Sequence, residues 1–239
     1  AEFRGPRGEA TEAGDLGLEA RGLHAIARPS RGGIEARLRI DTLSVETPEH
    51  RETLTELDAA GSLHQDLLAI RQLTARWDAR PVDVTGSVRH PLTAPDAGLR
   101  VRAELDLAAV SRRARTPWPI TGIAAVEADI QGTLHAPEVS GRLTVPRLTA
   151  ASVHARTVTV QGQWGAAGLD LRLRGEVDLA PLGREFTPRW PLAGTAAVEA
   201  DLRGRPDAPD ISGRLTVPRL LAGAVQAQEI AVRGQWRGG

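Results

Sequence analysis

The sequence predicts an all-β protein, a meander of antiparallel strands built from units of about 72 residues. Three observations predict it. Aliphatic and charged residues alternate with a period of two over many stretches, the pattern of a strand with one apolar and one solvated face. Long blocks recur at a fixed offset. Short turn signals separate the alternating stretches, and short turns join antiparallel neighbours.

Internal duplication is the strongest of these signals. AAVEAD occupies 124–129 and again 196–201, and GRLTVPRL occupies 141–148 and again 213–220. The offsets are 196 − 124 = 72 and 213 − 141 = 72. LRVRAELDLA at 99–108 and LRLRGEVDLA at 171–180 keep the same spacing, as do Trp118 and Trp190, and Trp164 and Trp236. The predicted units are 99–170 and 171–239, after a diverged unit over 1–98. The last unit falls short of a full period, so the chain is expected to be a segment of a longer protein.

The elements follow in order. Ile34, Ala36, Leu38 and Ile40 alternate with Glu35, Arg37, Arg39 and Asp41. Residues 50–60 have a weak helical pattern. Leu99, Val101, Ala103, Leu105 and Leu107 alternate with Arg100, Arg102, Glu104 and Asp106, and the series repeats from Leu171 to Leu179. Linkers rich in Pro and Arg are expected at 109–121 and 181–193, and turns at 136–138, 166–168 and 208–210. The apolar parity slips between Ala155 and Val158, and again between Ala227 and Ile230. A bulge or a tight turn near Arg156 and Thr157 restores the facing; counting it as a turn gives five strands per unit. Pro146 and Pro218 are expected at strand ends, where a missing donor is tolerated.

Composition narrows the function classes. Thirty basic and thirty acidic residues give a net charge of zero, with no basic face bearing interleaved aromatics, which argues against nucleic acid as a partner. Every basic residue is Arg, which reads as a base-composition bias of a bacterial genome. No Cys is present, so disulfides, zinc–thiolate sites and thiol nucleophiles are excluded. No apolar run approaches the roughly 20 residues that span a bilayer. His24, His50, His64, His90, His135 and His154 lack metal-ligand spacing. The acidic pair Glu127 and Asp129, repeated at Glu199 and Asp201, falls on a wet strand face and reads as solvation. No phosphate loop, nucleophile elbow or dinucleotide fingerprint occurs. The chain is therefore expected to be no enzyme and to carry no cofactor or metal.

An uncovered aliphatic face is costly, at about 1.5–3 kcal/mol for each Leu or Val. A second sheet, the same sheet curled over, or lipid must cover it. A transmembrane barrel would need aromatic girdles, and the chain has no Tyr. A β-solenoid or sandwich stalk, or an adhesin segment without a ligand, is the rival from another class.

The motif GTAAVEADLRGRPDAPDISGRLTV at 194–217 and its twin GIAAVEADIQGTLHAPEVSGRLTV at 122–145 resemble repeats of the AsmA-like superfamily, those of the TamB family most closely. GSLHQDLLAIRQLTARWDARPVDVTGSV at 61–88 is similar to the strand pairs of the same family. The resemblance implies an elongated, curled antiparallel sheet, a taco-like open groove with an apolar interior. It implies a periplasmic protein of a Gram-negative bacterium, anchored to the inner membrane through a segment outside this chain. It also implies phospholipid as cargo, moved between inner and outer membrane, an Omp85-family outer-membrane protein as partner, and a part in outer-membrane protein assembly.

On that reading the groove lining comprises Leu99, Val101, Val126, Ile130, Leu143, Val145, Val158 and Val160. Leu171, Leu173, Val198, Leu202, Leu215, Val217, Ile230 and Val232 continue it. Trp164 and Trp236 share the parity of the aliphatic face and are candidate rim residues, since an indole suits a boundary between apolar and wet. Trp118 and Trp190 fall in the linkers, where they are candidate plugs for the groove mouth.

Overall fold

The computed structural model describes residues 17–46, 51–133, 135–186 and 192–237. The described chain is mostly strand, with two short helices and the turns and loops that join these elements. It divides into two compact units, Ala1–Ala103 with Ile130–His135, and Glu104–Asp129 with Ala136–Gly239.

The first unit holds β1 (Gly17–Arg21), β2 (His24–Ser30), β3 (Gly33–Glu46), β4 (Arg51–His64), β5 (Leu67–Trp77), β6 (Arg80–Arg89) and most of β7 (Asp96–Asp106). β1 and β2 both pair with β3, and β3 to β7 follow one another in antiparallel register. The alternation becomes a row of apolar residues across the strands: Ala25, Leu38, Ala59, Leu73, Val84 and Val101 are successive cross-strand partners. Ile40, Leu57 and Ala75 form its buried cluster.

The second unit holds α1 (Leu107–Arg113), most of β8 (Ile120–Thr133), β9 (Ala136–Ala150), β10 (Val153–Gly165), β11 (Gly168–Asp178), α2 (Leu179–Phe186), β12 (Leu192–Ala193), β13 (Thr195–Arg205), β14 (Ala208–Ala222) and β15 (Val225–Trp236). β8, β9, β10, β11, β13 and β14 are successive neighbours, and β12 and β15 both pair with β14. In each unit the sheet is open; the lengthwise curl into a groove is an expectation of the resemblance alone. β9 and β14 start 72 positions apart and have the same length, and the starts of β7 and β11, of α1 and α2, and of β10 and β15 are 72 apart as well.

Several expectations need correction. Residues 51–60 are strand, part of β4, because pairing with β3 and β5 overrides the weak local preference; His50 lies outside the described residues. The alternation through Leu107 and Leu179 ends one residue early. Asp106 accepts a hydrogen bond from the Ala108 N–H at 2.9 Å, and Asp178 from the Ala180 N–H at 3.0 Å. An aspartate in that position caps a helix start, so α1 and α2 begin there and run into the expected linkers. Trp118 stands 66% exposed; Trp190 lies outside the described residues. Removing a cap should weaken the fold locally: Asp178→Ala is expected to lower unfolding free energy by about 1 kcal/mol in urea titration.

The parity slip is a bulge, not a turn. β10 is one strand, so each 72-residue period carries four long strands rather than five. Its register with β11 shifts by one residue between Arg156 and Thr159, and Thr157 is left-handed at φ 52°. Toward β9 the register does not shift: Arg156 faces Arg147 and Val158 faces Val145, which sets Thr157 opposite Pro146. Pro146 and Pro218 thus lie inside β9 and β14 rather than at their ends. The missing proline N–H meets a residue whose backbone has already left the ladder, which is why the strand tolerates it. The turns expected at 136–138 and 208–210 lie upstream, since Pro137 and Pro209 already belong to β9 and β14.

Candidate functional site

The apolar rows of the second unit are the candidate site. Leu143, Val160, Leu173 and Ala200 are successive partners from β9 to β13. Beside them run Gly141, Gly162, Leu171, Leu202, Ile211 and Trp236, from β9 to β15. Val145 pairs with Val158, Val198 with Leu215, Leu215 with Val232, and Val217 with Ile230. Of the remaining expected lining residues, Leu99 pairs with Gly86 and Val101 with Val84 in the first unit, and Ile130 lies on β8.

Five of the expected residues meet at one place. Val126, Leu143, Val160, Leu171 and Trp164 line a shallow hollow of about 180 Å³, together with Val139. Gly141 and Gly162 also line it, directly opposite each other on β9 and β10. Having no side chains, they lower the surface between the flanking aliphatics. Gly162 has φ +156°, and a Cβ there would collide with the Asp170 carbonyl oxygen and lie 2.9 Å from Leu171 Cα. Trp164 borders the hollow half exposed, at 48%, with Val139 beside it on β9 and Leu169 beside it on β11.

Burial separates the lining from the core. Val145 and Val217 are 1% and 4% exposed and offer no surface to a ligand. They recur 72 residues apart with Ala124 and Ala196, both fully buried. Leu143, Val160, Leu171, Leu173, Val198 and Leu215 are half-buried. Val232 and Trp236, on β15, are more than half exposed.

The opposite face of these strands is ionic. Arg172 Nε lies 3.0 Å from Asp201 Oδ1, Arg174 Nε 3.4 Å from Glu199 Oε1, and Arg203 Nε 3.5 Å from Asp170 Oδ1, so three pairs join β11 to β13. The Asp201 hydrogen bond, and then its charge, raise the guanidinium pKa of Arg172 above its ordinary value. Arg142 and Gln161, both part of the hollow's lining, are hydrogen-bonded, Arg142 Nη2 donating to Gln161 Oε1 at 3.2 Å. Such exposed pairs set register more than stability. In the first unit a larger hollow of about 1190 Å³ has a mixed lining, with Ile26, Leu38, Ile40 and Ala60 beside charged residues that include Arg39 and Asp58, paired at 3.5 Å.

Sequence parity found Leu143, Val160 and Leu171 directly. It missed Val139, Gly141 and the depth that Gly162 provides, because glycine leaves no mark in an alternation of apolar and charged residues. No known protein family, no curated protein and no solved structure matches the chain.

Proposed function

We propose that the chain is a segment of a lipid carrier like the AsmA and TamB proteins, in which the aliphatic face of a repeated sheet holds the acyl chains of phospholipid. In this reading the sheet curls lengthwise into a groove, the 72-residue period extends it, and the parent protein works in the periplasm between inner and outer membrane beside an Omp85-family partner. The chemistry is that of a shape and asks for no catalytic group.

One observation carries the reading. The second unit presents contiguous rows of half-buried Leu and Val, interrupted by a hollow whose lining is mostly Val, Leu, Ala, Gly and Trp, with Glu127, Arg142, Gln161 and Gln163 among them. A stalk would gain by packing those side chains away, since each buried Leu or Val is worth about 1.5–3 kcal/mol. An acyl chain laid along the rows gains the same energy, while the ionic face keeps the sheet soluble.

The direct experiment is extraction. Purified chain from a bacterial host, washed free of detergent, is expected to release phospholipid into organic solvent, detected by mass spectrometry. Protein that comes out lipid-free, and that takes up no fluorescent fatty acid afterwards, is a stalk and not a carrier.

A further inference from the structure

Among the described residues β15 pairs with β14 and with no other strand, so a row of its backbone N–H and C=O groups faces outward. That edge is already bent. Glu229 has φ 55° and lies opposite Pro218, since Val217 faces Ile230 and Arg219 faces Gln228. The same conformation occurs inside two other strands, at Glu56 in β4 (φ 52°) and Thr157 in β10 (φ 52°). Both of those strands have a second neighbour, and in both its register shifts by one residue at the left-handed position. β5 shifts between Thr55 and Asp58, and β11 between Arg156 and Thr159. In both, the residue opposite the shift is small: Ala75 in β5 and Gly175 in β11. Ala75 is buried, and a Cβ on Gly175 would lie 3.2 Å from Val158 Cγ2.

We infer that the outer edge of β15 is a docking edge for an extended polypeptide strand of the β11 pattern. It pairs antiparallel, with a one-residue shift between Gln228 and Ala231 and a Gly or Ala opposite that shift. The inference is independent of the lipid reading. The residues of β15 match those of β10 at the 72-residue spacing, Val225 to Trp236 against Val153 to Trp164. One difference sets the charge of the partner. Gln161 of β10 faces Arg172 of β11, but its match in β15 is Arg233. The docked strand therefore carries an acidic residue where β11 has Arg172. It also covers Val232, which is 55% exposed, as Leu173 covers Val160. Main-chain pairing supplies affinity, and the small residue and the acid supply selectivity.

The probes are peptides of residues 168–178 added to the whole chain, read by amide exchange along β15. The form with Arg172→Glu is expected to protect the β15 amides flanking the shift. It should bind about fivefold or more tighter than the unaltered peptide, because it replaces a facing like charge with an opposite one. Adding Gly175→Val to it should weaken binding about tenfold or more through crowding at the shift. Gly234→Val in the protein should leave the free chain folded, since a Cβ there has nothing within 4 Å, and should abolish docking. Because a short peptide binds weakly, the same strand is also joined after Gly239 by a flexible linker, which raises its effective concentration to about the millimolar range. No protection in the linked form, equal protection by a scrambled strand, or indifference to Gly175→Val overturns the inference. So does a concentration-dependent dimer of the unaltered chain that protects the same amides, which makes the occupant a second copy.

Discussion

On the proposed carrier function, Leu171→Glu is expected to abolish co-purifying lipid and to lower affinity for a fluorescent fatty acid by at least about tenfold, while the sheet stays folded. Leu171 lines the hollow, opposite Gly162 on β10 and Leu202 on β13. A carboxylate there must be desolvated by any acyl chain that lies over it, and that penalty exceeds the gain from the few methylenes it displaces. The folding cost is smaller, about 1–2 kcal/mol, because Leu171 is half-buried and the new charge still reaches water. Leu171→Met keeps the volume and the apolar character and should behave as the parent. Lipid per chain by mass spectrometry and fatty-acid titration measure both. Unchanged occupancy in Leu171→Glu would remove the aliphatic face from any role in binding.

Gly162→Val should be among the most damaging single changes in the second unit, costing about 3 kcal/mol, whereas Gly234→Val should cost less than about 0.5 kcal/mol. The two glycines match at the 72-residue spacing and differ in surroundings and in backbone, since Gly162 has a positive φ and Gly234 does not. Gly162 sits between β9 and β11 with φ +156°, and a side chain there would drive into the Asp170 carbonyl. Gly234, on β15, has open space where a Cβ would stand. Urea midpoints of the two variants give the comparison directly. Equal losses would rule out the close approach of β11 to β10 as the source of the cost.

Much of the fold was legible because the side-chain period of a strand is written in the sequence. Residues 34–40, 99–106, 171–178 and 198–202 alternate cleanly and are strand. What failed was non-local or ambiguous. Leu-Asp-Leu at 105–107 and Val-Asp-Leu at 177–179 continue an alternation as well as they begin a helix, which hides the caps at Asp106 and Asp178. Pro146 resembled a terminus because the residue that accommodates it, Thr157, belongs to the next strand. The walls of the hollow were legible as parity; its glycine floor was not.

The proline and its left-handed partner have a mechanical consequence. A regular ladder can slip by two residues and keep every aliphatic side chain on the same face, so alternation alone leaves such steps nearly degenerate. A slip of β10 along β9 would set Pro146 against a residue that expects a donor, and would set Thr157 against one with no gap to fill. Both errors appear together, so the mismatched alignment loses at two places at once. The pairs Pro146 with Thr157 and Pro218 with Glu229 therefore act as detents, each holding its hairpin at a single notch in a sheet whose side chains would otherwise permit several.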